Sequence, residues 1–426
     1  MPTSTHSAIV GRMSHRHAIC LVVDGLRASA LGAYGNTTYP TPQLDSLASR
    51  ALVVDWLWAD SPYLPHFYRS AWQGLHALRP DVAGEQKSVL AQLQRAGVRQ
   101  WLVTDDSWLI DHAEKLPFDE TLLIENGARH AASQLEDTAL GRFFTEAIEE
   151  LHQWRADVDD VSSMGWLHCR GMVGPWDAPQ ELRDNLLDDE DPPAPEFVEP
   201  PTALREIDDP DVLLAHRVAY AAQIAVLDAC VGAFVRAVEE AFENRETLIT
   251  LAGSRGFALG EHGSIGTDCA ELYSERLHLP WFLSPCGNTA PLPRLATLAQ
   301  PADLGATLLD WLCGGETAVQ SDGISYLPLL THGVGNPRQL VIAAGDKEER
   351  AIRTPAWMLT QGHSKEQSVE LYTKPDDRWE RNDIAALCPE VVQQLSEELA
   401  GSQQCCREGK RLPLTPRDRE LIVSLR

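Results

Sequence analysis

The sequence predicts an α/β protein: a three-layer sandwich built on a large, mostly parallel central sheet, followed by a small C-terminal α+β subdomain. Three observations carry the expectation for the central sheet. Ile19 to Val23 is a short apolar, β-branched-rich run that ends in Asp24 and Gly25, the pattern of a buried strand with a turn at its C-terminal end. SVLAQLQRAG puts Val89, Leu90 and Leu93 on one face, stops at Gly97 and runs into VRQWLVTDD, which reads as one αβ unit of a doubly wound sheet. From Asp211 onward, Ile224, Leu227, Val231, Val235 and Val238 recur at three- and four-residue steps, giving one buried helix face.

Length and composition set the bounds. A chain of 426 residues with 44% apolar residues is large enough for two units. The expected division is a main unit over 1–334 and a C-terminal unit over 335–426, the latter with a short antiparallel sheet and a final helix, CPEVVQQLSEELAGSQ, that packs Val391, Val392 and Leu395. A net charge of −26 disfavours nucleic acid and anionic membrane surfaces as partners, because no positive field dominates. The N-terminal MPTSTHSAIVGRMSHRH is polar, and the first apolar run is too short for a signal peptide or a membrane span, so the expected location is the cytoplasm. Nine scattered cysteines fit reduced thiols better than a disulfide framework; Cys405 and Cys406 read as ordinary thiols.

A carboxylate at the end of a central strand suits a metal ligand, and equally the cap of the next turn. A longer pattern extends beyond Asp24. Asp24-Gly25-Leu26-Arg27 is succeeded by Leu31-Gly32-Ala33-Tyr34-Gly35, and then by Thr41-Pro42-Gln43-Leu44-Asp45-Ser46-Leu47-Ala48, with a helix expected from about Gln43. This ordered string resembles the opening of the sulfatases, metal-dependent sulfate-ester hydrolases of the alkaline phosphatase superfamily. The likeness extends from about residue 17 to 400. It includes ELYSERLHLPWFL, ADLGATLLDWLCG, DGISYLPLL and the C-terminal IRTPAWMLTQG and VELYTKPDDRWERNDIA. It implies an alkaline phosphatase-like sheet and a divalent cation, calcium or magnesium, in any active member.

The same resemblance breaks where chemistry is expected. The family's nucleophile segment reads Cys (or Ser)-x-Pro-x-Arg, and the Cys or Ser becomes formylglycine. Alignment on Pro65 puts Tyr63 at the nucleophile and Phe67 at the Arg; counting back from Gly74 puts Leu64 at the nucleophile. None of these residues can take the role. Ser61 is the nearest hydroxyl, His66 a candidate base, and Arg69 a cation two residues beyond the motif position. In WLHCRGMVGPWDAP, Val173 stands where the family's histidine is expected, and His168 reads as a strand histidine. In TLITLAGSRGFALGEHG, Ser254 and Arg255 replace the family's metal-binding Asp and His (or Asn), while Leu259-Gly260-Glu261-His262-Gly263 remains. Thr267 or a neighbour replaces a lysine. Gly25 stands for a second Asp, and Ser29 for another acid. Residues 107–160 read as helical and charged. The acidic, Pro-rich stretch about 180–210 reads as a solvated surface insertion.

The first functional expectation is therefore a sulfatase-like pseudoenzyme, with no cofactor, that serves as an anion-binding, regulatory or scaffold protein. Its partners would be a small anionic ligand or an active relative. Asp24 is the remnant metal ligand, and Arg255 is expected to pair with it bidentately in the former metal space, where it could also bind an anion. The alternative is an active sulfate- or phosphate-ester hydrolase or transferase. In it Ser61, Tyr63 or His66 would attack, and Asp24 with Glu261 or His262 would hold a weakly bound cation. A third reading is a structural partner bound through its acidic surface.

Overall fold

The computed structural model describes residues 15–80, 88–125, 127–205, 207, 209–268, 271–314, 321–333, 337–362 and 369–422. Most of the polar N-terminal stretch, Cys269 and the expected boundary at residue 334 lie outside them.

The chain begins with β1 (Arg16–Val23), whose positions from His17 onward are all buried. Then come α1 (Pro42–Ser49), β2 (Leu52–Trp58), α2 (Leu64–Gln73), α3 (Val89–Arg95) and β3 (Arg99–Thr104). α4 (Ser107–Ala113), β4 (Glu120–Leu123), α5 (Ala139–Asp157), β5 (Ser163–Cys169), α6 (Gln180–Asp184) and β6 (Ala203–Arg205) come next. The long α7 (Pro210–Ala241) leads into β7 (Glu246–Gly253), β8 (Ala258–Leu259) and β9 (Ser264–Gly266). After these stand α8 (Ser274–Leu277), β10 (His278–Leu279), β11 (Trp281–Pro285), β12 (Arg294–Ala299), α9 (Pro301–Cys313) and α10 (Leu327–His332). The C-terminal part holds β13 (Val341–Ala344), β14 (Arg350–Arg353), β15 (Trp357–Gln361), β16 (Val369–Thr373) and α11 (Pro389–Arg407).

Nine strands form the main sheet in the order β10-β2-β11-β7-β1-β5-β3-β4, with β12 also paired to β2. β1 is parallel to both β5 and β7, and β3 is parallel to β5 and β4. β10 and β11 run against their neighbours. The period of two along β1 sorts its side chains between two cores. Ile19, Leu21 and Val23 join α1, α5 and α7 on one face. Ala18, Cys20 and Val22 join α2, α3 and α9 on the other. That division is the expected sandwich. α7 is apolar and long enough to span a membrane by length and composition, yet 83% of its most apolar window is buried inside the protein. Its predicted face, Ile224, Leu227, Val231, Val235 and Val238, is buried throughout. β13 to β16 make a separate four-stranded sheet whose core, Ile342, Ile352, Leu359 and Leu371, packs on Leu395 and Leu399 of α11.

Two local expectations change. Residues 107–160 are not simply helical, since β4 adds an edge strand to the main sheet. The 180–210 stretch is anchored rather than merely solvated. β6 pairs with β9, and the buried Arg183 donates to the carbonyls of Trp176 and Pro195. Its acidic tip, Asp188 to Asp191, is exposed.

Candidate active site

Parallel strands align their C-terminal ends, so the residues after β1, β3, β5 and β7 share one edge of the sheet. The strand order reverses there, with β1 between β7 and β5, which is where open α/β sheets form binding crevices. The loops at this edge are laced by main-chain bonds. Asp24 N–H donates to Cys169 O (3.0 Å), Met172 N–H to Asp24 O (2.8 Å) and Ser254 N–H to Val23 O (3.2 Å). Gly253 lets the loops touch: a Cβ there would lie 2.4 Å from the Leu26 carbonyl oxygen.

Asp24 is 1% exposed, and both its oxygens are directed at protein donors. Its Oδ1 accepts from Gly25 N–H (3.0 Å), Ser254 Oγ–H (2.8 Å) and Arg255 Nε–H (2.8 Å), and its Oδ2 accepts from Arg255 Nη2–H (2.9 Å). This is a fork-to-fork contact, the strongest geometry available to the pair. Burial alone would raise the Asp24 carboxyl; the charge and hydrogen bonds of Arg255 outweigh it and hold the group below the usual carboxylate range. Burial likewise works against the Arg255 cation, and Asp24 more than restores it.

This donor set does not fit a divalent cation. A hard cation takes several oxygen ligands, mostly carboxylates. Here one carboxylate is already engaged, and a permanently charged guanidinium lies against both its oxygens. Among the described residues, no group of three or more His, Cys, Asp or Glu converges as a metal set. Gly25 leaves no room for a side chain. Its φ is +74°, and a Cβ would stand 2.9 Å from Val173 Cγ2 and 3.0 Å from Met172 Cβ. Val173 and Met172 thus close the space that a side chain at position 25 would need.

The remaining sequence candidates have other partners. Ser61 is buried, and its Oγ shares a 2.7 Å hydrogen bond with His66 Nδ1. Tyr63 is the N-cap residue of α2 and Leu64 its first residue; burial pushes the Tyr63 phenol up. Arg69 Nη2 donates to Pro80 O (2.8 Å). Glu261 pairs with Arg27 and accepts from Leu259 N–H (2.8 Å). His262 meets Glu275 Oε1 (2.7 Å) and Glu380 O (3.1 Å) and stacks on Tyr273 at 3.7 Å. Burial opposes the His262 cation, but Glu275 prevails and lifts it to about 9. The structure thus brings Asp24, Ser254 and Arg255 together, and gives Glu261 and His262 separate engagements.

One further group stands at the site that motif spacing does not mark as a candidate. His168 at the end of β5 is fully buried, and its Nδ1 is 2.7 Å from Tyr68 Oη. Its Nε2 has no hydrogen-bond partner among the described residues and lies 3.9 Å from Asp106 Oδ2. Burial lowers its basicity against the pull of Asp24 and Asp106. A sequence signal for this neighbourhood exists: Asp105 and Asp106 directly follow β3 as Asp24 follows β1.

The family model described as Sulfatase matches residues 16–315 of this chain. A curated relative, the multifunctional alkaline phosphatase superfamily protein PehA of Trinickia caryophylli, is 30% identical over 121 residues. That match covers 28% of this chain and 22% of the relative, well short of its full length. Among solved structures, BT4656 in complex with its substrate D-glucosamine-2-N,6-O-disulfate superposes with a TM-score of 0.72 at 16% identity, over 92% of this chain and 98% of that one. The phosphonate monoester hydrolase of Agrobacterium radiobacter gives 0.70 at 16% identity, over 92% and 95%.

Proposed function

The chain belongs to the sulfatase family, and from that premise we propose that it has kept the framework of a sulfuric-ester hydrolase while losing metal-assisted catalysis. One observation carries the reading: the buried fork between Arg255 and Asp24, at 2.8 and 2.9 Å. Ester hydrolysis of this kind needs a cation to draw charge off the sulfuryl oxygens and a nucleophile to attack sulfur. Here an arginine takes the cation's position against Asp24, and Tyr63 or Leu64 replaces the formylglycine precursor. The site is then one for binding, not turnover. Arg255 is 17% exposed at its side chain and keeps N–H groups beyond the two that Asp24 uses, so a small oxyanion such as sulfate is the ligand class it suits. A regulatory or scaffold role in the cytoplasm follows; the eight described cysteines, all free thiols, support that compartment.

Elemental analysis of the purified protein, run beside assays with aryl sulfate, phosphate and phosphonate esters, tests the loss of catalysis. The expected result is less than about one divalent ion per ten chains and no metal-dependent turnover. A stoichiometric ion with ester cleavage that rises on metal loading overturns it. Calorimetric titration with sulfate and phosphate tests the ligand separately, with Arg255→Met as the control.

The Ser61–His66 hydrogen bond favours a second reading, a hydrolase or transferase with a serine nucleophile. Labelling of Ser61 by a fluorophosphonate, absent in Ser61→Ala, would establish it.

A further inference from the structure

Away from the strand-end crevice, a recess opens where the C-terminal sheet meets the main sheet. Arg353 of β14 forms its inner wall and is 1% exposed. Its guanidinium carbon lies 4.0 Å from the centre of the Trp56 ring and 4.8 Å from that of Trp58. Both rings project from β2 at alternate positions. Nε and Nη1 of Arg353 are buried and have no hydrogen-bond partner among the described residues. Lys374, 1% exposed, and Arg378 line the same recess, with His278, Ser29 and Trp379.

The anionic groups nearby are committed elsewhere. Glu380 accepts from Lys374 Nζ and from Ser274 Oγ. Glu275 also borders the recess but is bound to His262. His278 donates through Nε2 to Asp55 O (2.6 Å), and burial beside Arg353, Arg378 and Lys374 pushes it down to about 3, so it carries no charge. Glu380 thus pairs with Lys374, Arg378 donates to Tyr34 O (2.8 Å) and lies over Trp379, and Arg353 is left without an ion pair among the described residues. A buried cation without a counter-charge costs several kcal/mol, and ring faces return only part of that. The inner part leaves about 10 Å³ for the centre of a water-sized body, a space suited to one small ligand.

We propose that this recess binds a single halide-sized monovalent anion, held by the Arg353 guanidinium beside Lys374, and that the ion neutralises the seam between the two sheets. The lowered basicity of Arg353, down to about 10 through burial, is in keeping with a cation lacking its partner. Ser29, on the rim, and the half-exposed Trp379 mark the way in.

The test compares thermal unfolding of the full chain across chloride concentrations, with ionic strength held by gluconate. A saturating rise in the midpoint on the order of 2 °C is expected, and Arg353→Met should abolish it. Crystals grown in bromide should show an anomalous peak between Arg353 and Lys374; this readout stands even if the variant fails to fold. A response that is linear and equal in both proteins, or a recess without bromide, overturns the proposal.

Discussion

Two buried arginines in this protein live in opposite surroundings. Arg255 lies in a fork with Asp24, and the pair strengthens both charges. Arg353 has two tryptophan faces and, among the described residues, no ion pair, and its basicity falls. The difference teaches that burial alone does not decide what a cation does. A partnered guanidinium braces the fold and closes a site, whereas an unpartnered one leaves a demand for an anion.

The contrast can be broken most forcefully at Arg255. Arg255→Met leaves Asp24 buried and uncompensated, and should cost about 3–5 kcal/mol in urea unfolding. Asp24→Asn combined with Arg255→Met should cost much less than the sum of the single changes. A loss under about 1 kcal/mol for Arg255→Met would erase the distinction between the two arginines.

A pH series examines a contact at the edge of the Arg353 recess, His262–Glu275. The folded value of His262, about 9, lies above its unfolded value near 6.5. Its contribution is therefore complete below pH 6.5 and is lost as pH rises through 9. Glu275, raised by burial, also favours the folded state holding the shared proton, so the two directions agree. Unfolding free energies from urea titrations between pH 6 and 9.5 should fall by about 2–3 kcal/mol, a trend flattened in His262→Gln.

Arg353→Met, measured in gluconate without halide, should change stability by about 1 kcal/mol or less, since removal of an uncompensated charge offsets the lost ring contacts. The smallest effect belongs to a solvated arginine. Arg99 meets Glu120 at 2.8 Å, with side chains 38% and 48% exposed, and Glu120→Gln should cost under about 0.5 kcal/mol.

Much of the fold is legible in the sequence because its signals are local. The apolar run of β1, the Gly97 stop (φ +78°) and the spaced apolar residues of α7 each report their own element. Asp24 and Arg255 can be read as neighbours because each ends a strand of one parallel sheet, so topology alone brings them to the same edge. β4 escapes such a reading because its four residues are exposed or only half-buried, leaving no alternation to detect. Composition describes the 180–210 stretch as solvated and does not reveal that Arg183 is buried under it. The cage around Arg353 joins β2 to β14 across almost three hundred residues, and no local pattern announces such a contact. Ser61 and His66 meet because a turn containing Pro62 and the first turn of α2 fold one onto the other, a contact that spacing alone does not specify.

The crowding at Gly25 bears on how a metal site could be engineered into this chain. An acid at that position needs a different main-chain conformation, and it also needs Val173 to give way. Neither change helps without the other, and both leave Arg255 on Asp24 until it too is exchanged. Building a metal site here by substitution therefore takes coordinated changes at positions 25, 173 and 255, and no one of them suffices.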